Sequence, residues 1–142
     1  MGVPCGGWCP EGRRAEDGEI PARYPLTILP GVGYRERTQQ NVLDSDATVI
    51  IYFEKIEPKS GTEQTVNECI KATRPYLLID GNTAPVETAA QEIREFCRTH
   101  FVHRLNMAGP RGGGGDSPSA QICADRCRGV LALAVIAVNH SQ

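Results

Sequence analysis

The sequence predicts a three-layer α/β domain in which helices cover both faces of a mostly parallel sheet. Residues 47–53 are β-branched, aromatic or alanine throughout, and residues 76–79 are apolar; neither run alternates with polar residues, which is typical of parallel strands buried on both faces. Between and after these strands, apolar residues recur at helical spacing. Such alternation of strands and helices favours a parallel sheet with right-handed crossovers.

The first part of the chain is predicted to be poor in regular structure. Residues 3–8 are expected to form a short strand that breaks at Pro10. Residues 11–30 are expected to be a loop, because prolines and glycines interrupt any apolar periodicity. A helix is then predicted over residues 34–42.

The rest of the chain alternates helices with strands. The elements predicted after the strand at 47–53 are a helix over 60–73, a strand over 76–80, a helix over 88–99, a strand over 102–107, a loop over 109–119 and a last helix from about 119. The apolar tail at 130–138 has the composition of a helix or a strand, and the alternation favours a helix. Residues 1–142 are therefore expected to form one Rossmann-like domain.

Composition and charge fit a soluble globular protein. Hydrophobic residues make up 40% of the 142 residues, and the net charge is −2. This balance gives no reason to expect nucleic acid or an anionic membrane as a partner. No signal sequence is apparent and the apolar tail is too short to span a bilayer, so a cytoplasmic location is expected.

The six cysteines are expected to be free thiols, because the chain is longer than a typical disulfide scaffold. Cys5 and Cys9 are spaced like Cys123 and Cys127, so a four-thiolate zinc site is conceivable, although zinc sites more often use a shorter spacing. The alternative for the second pair is one buried helix face. No metal ligand is predicted.

A ligand is expected at the carboxyl ends of the strands, where loops lead into helix amino termini. Four loops are predicted to reach that edge and to converge on an anion: residues 8–18, 57–65, 80–83 and 108–115.

The helix start at Ser60, Gly61 and Thr62, with Thr65, is the sharpest candidate for a phosphate seat. Glycine lets the backbone approach a ligand, while hydroxyl groups and unpaired amides at a helix start face an anion. The alternative is that Ser60 or Thr62 only caps the helix, with Glu63 favouring the helix dipole.

The glycine-rich start of the chain supplies a second group of candidates. Gly6 and Gly7 leave backbone amides uncovered, and the single Trp8 offers a flat face to a ligand ring. Arg13 adds a fixed positive charge, but it also fits a solvated cluster with the acidic residues that follow it.

Two more pairs of residues complete the predicted ligand site. Gly109 and Arg111 follow a strand, and arginine can make forked hydrogen bonds to phosphate. Thr38 and Asn41 share one helix face and can bond the polar edge of a ligand. Ordinary exposed surface is the alternative for Arg111, Thr38 and Asn41.

A series of short motifs carries a resemblance to a known family. In order they are Cys5-Gly6-Gly7-Trp8-Cys9-Pro10, Gly12-Arg13, Ala15-Glu16-Asp17-Gly18, Ile20-Pro21, Tyr24-Pro25-Leu26, Tyr34-Arg35-Glu36-Arg37-Thr38, Asn41-Val42, Asp44-Ser45-Asp46-Ala47-Thr48, Ser60-Gly61-Thr62, Thr65, Leu105-Asn106 and Ala108-Gly109-Pro110-Arg111. In these motifs the chain resembles the molybdenum cofactor carrier family, within the Rossmann-like superfamily of the lonely-guy and lysine-decarboxylase-like proteins. The resemblance implies a carrier that binds molybdenum cofactor (molybdopterin) or a nucleotide, with a Gly-Thr turn against phosphate.

One departure from the family concerns the amino end. Family members usually open with a strand, a Gly-Gly-Gln-Thr-Gly-type loop and a helix before the segment equivalent to Val3-Pro4-Cys5. This chain lacks that opening, so we expect a domain that is amino-terminally shortened by one strand-helix unit. Because open sheet edges favour pairing, a homo-oligomer is expected.

Two alternatives to a carrier remain. One is a nucleotide-processing hydrolase of the N-glycosidase type, with Glu16 or Asp17 as the acid. The related phosphoribohydrolases carry a catalytic glutamate in a Pro-Gly-Gly-x-Gly-Thr-x-x-Glu motif, and Thr65 stands at its place here, so no catalytic residue is predicted. The other is a truncated module that lost the site and depends on a partner chain.

Overall fold

The computed structural model describes residues 6–15, 18–19, 25–31 and 33–109 of the chain. The elements are β1 (Trp8–Pro10), a short 3-10 turn (Glu11–Arg13), β2 (Arg14–Ala15), β3 (Gly18–Glu19), β4 (Thr27–Leu29), α1 (Tyr34–Leu43), β5 (Ala47–Tyr52), α2 (Gly61–Lys71), β6 (Tyr76–Asp80), α3 (Val86–Thr99) and β7 (Leu105–Ala108). The predicted last helix, the apolar tail and the run of glycines at 112–115 lie outside the described residues.

The strand β5 is the centre of a parallel three-stranded sheet with the order β6-β5-β7. Ile51 is paired with Ile79 of β6, and Ile50 is paired with Ala108 of β7. The first five residues of β5 are all buried, as its lack of alternation between apolar and polar residues predicts. The α/β fold with a mostly parallel sheet is confirmed.

Helices lie on both faces of this sheet. On one face, Ile93 of α3 is buried against Val49 and Ile79. On the other face, α2 packs on β5 with Thr65 and Cys69 buried. This arrangement gives the three layers that the alternation of elements predicts.

Residues 76–80 form the predicted strand, β6, but the prediction that this strand is buried is wrong. β6 lies at an edge of the described sheet, where Tyr76 is 37% and Leu78 is 40% exposed, and only Ile79 is buried. Apolar composition indicates a strand, but it does not show whether a helix covers both of its faces.

The amino-terminal region has more structure than the loop predicted over residues 11–30. β1 pairs in parallel with β4, and β2 pairs antiparallel with β3. Of the strand predicted over residues 3–8, the described part shows Trp8 in β1, which ends at Pro10, while Gly6 and Gly7 are not in a strand. Residues 3–5 lie outside the described residues. Strands of two or three residues are too short to show a periodic pattern.

The three described cysteines, Cys9, Cys69 and Cys97, are free thiols, as the sequence predicts; the other three lie outside the described residues. Burial raises the pKa of the Cys69 thiol, although a hydrogen bond with Thr48 opposes the shift. Burial also raises the pKa of Cys97. Both thiols are therefore protonated and weakly nucleophilic at neutral pH.

None of the helices within the described ranges is long and apolar enough to cross a membrane.

Asp46, just before β5, fixes the chain that leads into β7. Its carboxylate accepts hydrogen bonds from the main-chain N–H groups of Arg104 at 2.8 Å and His103 at 2.9 Å. Its own N–H donates to the Arg104 carbonyl at 2.9 Å. The bonds from Arg104 and His103 hold the pKa of Asp46 below its ordinary value, because they favour the ionised carboxylate.

We expect Asp46→Asn to lower the free energy of unfolding at neutral pH and to flatten its decline in acid. Because the pKa of Asp46 is lowered on folding, its ionised form stabilises the fold at pH values above the ordinary pKa of an unfolded aspartate. That stabilisation is lost as the pH falls through the lower, folded-state pKa. Urea unfolding measured from neutral to acid pH tests this, with Glu92→Gln on the exposed surface of α3 as the control. An acid decline as steep as that of the wild type would contradict the role of Asp46.

Candidate functional site

The carboxyl ends of β5, β6 and β7 lie at one edge of the sheet. Gly81, after β6, donates its N–H to the Tyr52 carbonyl at 2.7 Å, and the Phe53 ring lies against Gly81. Gly109, after β7, lies beside the Ile51 carbonyl of β5. Three of the four loops predicted to converge therefore start from this edge. The fourth loop follows β1, which belongs to a separate two-stranded sheet with β4.

The helix α2 starts at this edge, and Ser60 is its N-cap. The Ser60 hydroxyl accepts a hydrogen bond from the Glu63 N–H at 3.2 Å, and the Ser60 carbonyl accepts one from the Gln64 N–H at 3.0 Å. The Glu63 carboxylate accepts a hydrogen bond from the Lys59 N–H at 2.6 Å. The capping interpretation is thus confirmed for Ser60, whose hydroxyl is engaged with its own helix.

The first two turns of α2 contain the other predicted members of the phosphate seat. Thr62 and Thr65 are buried, and the Thr65 hydroxyl donates to the Gly61 carbonyl at 2.8 Å, an ordinary bond for a helical threonine. By helix geometry the N–H groups of Gly61 and Thr62 have no acceptor within the helix. They are donors that this arrangement can offer to an anion.

The loop between β5 and α2 has two features that the sequence did not indicate. Glu54 and Lys59, at either end of this loop, have φ angles of 64° and 62°, in the left-handed region that non-glycine residues rarely adopt. Backbone strain of this kind clusters at functional sites. Between these residues, Lys55 and Glu57 form an exposed ion pair at 3.2 Å.

Gln64, in the early part of α2, is another residue that sequence reasoning missed. Its side-chain Nε2 is buried and has no hydrogen-bond acceptor among the residues that the structure describes. A buried donor without an acceptor is destabilising, so this Nε2 is a candidate donor to a water or a ligand oxygen. A glutamine within a helix gives no sequence signal of this kind.

The structure places Trp8 at the carboxyl end of α1. The indole Nε1 donates to the carboxylate of Asp44, which is the C-cap of α1. The Trp8 main-chain N–H donates to the Asn41 Oδ1 at 2.9 Å, and the Asn41 Nδ2 donates to the Trp8 carbonyl at 3.4 Å. Because α1 leads into the amino end of β5 and Ser60 follows its carboxyl end, Trp8 and the α2 start are not brought together.

The residues predicted around Trp8 have partners within the chain. The carbonyl of Gly7 accepts a hydrogen bond from the Thr27 N–H at 2.8 Å, and Gly7 has a φ angle of 144°. A Cβ atom there would lie 3.3 Å from the Asn41 Oδ1, so glycine allows this close approach. Gly6 is exposed. The Thr38 hydroxyl donates to the Tyr34 carbonyl at 2.9 Å, within α1.

Arg13 lies in the turn that follows β1. Its Nη1 donates to the Leu26 carbonyl at 3.2 Å. In the same turn, the Glu11 carboxylate accepts a hydrogen bond from the Gly31 N–H at 3.1 Å, which places the turn beside the segment that leads into α1. The Arg13 turn is thus near the amino end of α1, on the side of the carboxyl ends of the strands. Arg111, Glu16 and Asp17 lie outside the described residues.

Within the described ranges, no group of three or more His, Cys, Asp or Glu side chains is arranged to hold a metal ion. The structure thus brings Gly109 to the edge from which Ser60, Gly61, Thr62 and Thr65 extend. Gly7 and Trp8 form a separate group with Asn41 of α1, and Gly6 lies beside the Pro25 carbonyl. A direct ligand contact by any of these residues stays a prediction.

Comparisons with known proteins agree on one family. The sequence profile of the family described as "Circularly permutated YpsA SLOG family" matches residues 1–129. Among solved structures, the chain is similar to the "Putative molybdenum carrier protein" from Syntrophus aciditrophicus SB, with 37% sequence identity and a TM-score of 0.79. That similarity covers 91% of this chain and 80% of the other. A search of curated proteins gives no match.

Proposed function

Because the chain belongs to the circularly permuted YpsA SLOG family, we propose that it is a carrier that binds a small phosphorylated ligand. The ligand is molybdenum cofactor or a nucleotide, bound at the carboxyl edge of the main sheet. The observation that carries this proposal is the start of α2 at that edge, with Gly61 and Thr62 in its first turn. The similarity to a protein named as a molybdenum carrier supports molybdenum cofactor as the cargo.

The ligand's phosphate is bound at the start of α2 in this proposal. The N–H groups of Gly61 and Thr62 donate to it, and the helix dipole stabilises its negative charge. Gly109 lies beside the Ile51 carbonyl at the end of β5, next to the bound ligand in this proposal. The buried Nε2 of Gln64 donates to a ligand oxygen, which would give this side chain the acceptor it requires.

In this proposal, arginine side chains supply further positive charge that binds the phosphate. Arg13 stands on the turn after β1, and Arg111 follows Gly109 in sequence. A guanidinium makes two parallel bonds to a phosphate, so either residue can hold the group in a fixed orientation. The overall charge of −2 means that any attraction for the anion is local.

The direct test is a thermal-shift titration of the purified protein with molybdenum cofactor and, separately, with AMP. A ligand that binds only the native state must raise the unfolding temperature, and at about 100 times its Kd it adds about 2.7 kcal/mol to the free energy of unfolding. No shift with either compound at saturating concentration would overturn the proposed function for this chain.

We expect Ser60→Asp to weaken binding of the phosphorylated ligand by about tenfold or more while leaving the fold intact. Aspartate is as good an N-cap as serine, so α2 keeps its cap, but its charge repels a phosphate at the helix start. Asn67→Asp is the matched control, because Asn67 is exposed on the same helix, away from its start. Equal weakening by the two variants would place the phosphate elsewhere.

A further inference from the structure

We propose that Asn41 and Asp44 are positioning residues for the ligand site, which act through β1 to place the Arg13 turn. This inference rests on the proposed function, in which Arg13 binds the ligand's phosphate. Neither side chain touches the ligand in this proposal. Their role is to attach the strand that carries the turn to α1, the helix that packs against α2.

The first support is the way in which Asn41 bonds to Trp8. The Gly7 carbonyl is bonded to Thr27 of β4, so Gly7 faces that strand. Main-chain groups of successive strand residues point to opposite edges, and those of Trp8 therefore point away from β4. There the Asn41 carboxamide bonds both of them, at 2.9 and 3.4 Å. One side chain from α1 thus takes the place of a neighbouring strand at Trp8.

Asp44 makes the second attachment and secures it to the rest of the fold. One carboxylate oxygen accepts the bond from the Trp8 indole Nε1, and the other accepts a bond from the Gln40 Nε2 at 3.0 Å. The Asp44 main-chain carbonyl accepts a bond from the Arg104 Nη1 at 3.2 Å. Asp44 therefore joins β1 to α1 and to the residue before β7.

These attachments fix where the Arg13 turn stands. The turn follows β1 directly, and β1 has only three residues. α1 holds β1 on one side and packs against α2 on another, and α2 carries the phosphate seat. The position at which Trp8 is bonded to α1 consequently determines the distance between Arg13 and the N–H groups at the start of α2.

The test is a double-mutant cycle on AMP affinity with Asn41→Ala, Arg13→Ala and the two combined. If Asn41 acts through the Arg13 turn, each single variant weakens AMP binding by about tenfold, and the combined variant is no weaker than Arg13→Ala alone. A general loss of stability would instead add to the effect of Arg13→Ala. Gln39→Ala, exposed on α1, is the control and should bind AMP as the wild type does.

Trp8 gives an independent readout, because it is the only tryptophan of the chain. Asp44→Asn keeps the shape of the side chain but replaces the charged carboxylate that accepts the indole hydrogen bond with a neutral amide. We therefore expect a shifted Trp8 fluorescence emission and a loss of AMP affinity smaller than that of Asn41→Ala. If Asn41→Ala fails to fold, Asp44→Asn tests the positioning role in its place.

The outcomes separate the two proposals. Additive effects in the cycle, or wild-type AMP affinity in Asn41→Ala and Asp44→Asn, would overturn the positioning role while leaving the carrier function intact. A wild-type protein that binds neither AMP nor molybdenum cofactor would overturn the proposed function and the positioning role with it. Unchanged Trp8 emission in Asp44→Asn would show that Asp44 does not hold the indole, which overturns the positioning role alone.

Discussion

Replacing Ile93 with alanine is expected to lower the free energy of unfolding by about 2–5 kcal/mol. Ile93 is 1% exposed and packs from α3 against the central strand and β6. The substitution removes buried methyl and methylene groups and leaves a cavity that close-packed neighbours such as Val49 and Ile79 fill only in part. Urea or thermal unfolding followed by circular dichroism measures the change.

Ile70→Ala is the matched control for this prediction. It makes the same chemical change on a helix, but Ile70 is 57% exposed on α2, so its effect should stay within about 0.5 kcal/mol. Losses of similar size in the two variants would contradict the placement of the core between α3 and the sheet.

The second large effect is expected for Gly81→Ala, with a loss of about 1–3 kcal/mol. Gly81 is buried at the carboxyl edge, and a Cβ atom there would lie 2.6 Å from the Cζ and 2.9 Å from the Cδ1 of the Phe53 ring. Real Cβ contacts are longer than this, so the ring must move away from the end of β5. The hydrogen bond from the Gly81 N–H to the Tyr52 carbonyl would be disturbed as well.

A second substitution tests whether the Phe53 ring causes this loss. In a Phe53→Ala background the ring is gone, so Gly81→Ala should have little further effect. The coupling between the two positions is measured by unfolding all four proteins. If Gly81→Ala destabilises both backgrounds equally, contact with the ring is not the reason that glycine is needed here.

Long, strongly patterned elements were predictable from the sequence for a physical reason. β5 is apolar apart from Thr48 because helices cover both of its faces, and α3 repeats its apolar residues at helical spacing because one side of it packs on the sheet. The short strands β2, β3 and β4 have no such signal, because strands of two or three residues show no periodic pattern. The exposure of Tyr76 and Leu78 depends likewise on sheet order, which local pattern does not determine.

In the candidate site, too, features that depend on local sequence were predictable and features that depend on distant residues were not. The helix start at Ser60 was predictable, because a capping residue, a glycine and an acidic first turn are local signals. The partners of Trp8 were not, since Asn41 lies 33 residues away and Asp44 lies 36 residues away. A flat aromatic face beside glycines indicates a ligand platform, and the same residues equally suit attachment to a helix.

The placement of β5 between two later strands has a consequence for how the chain folds. Asn106 bonds to Thr48 across 58 residues, so one side of the central strand can be completed only after a long loop closes. Each doubling of loop length adds only about 0.6 kcal/mol of entropic cost, but contacts of such high sequence separation slow folding. During synthesis, one edge of β5 therefore stays unpaired until β7 has left the ribosome, and an unpaired edge of an apolar strand favours aggregation.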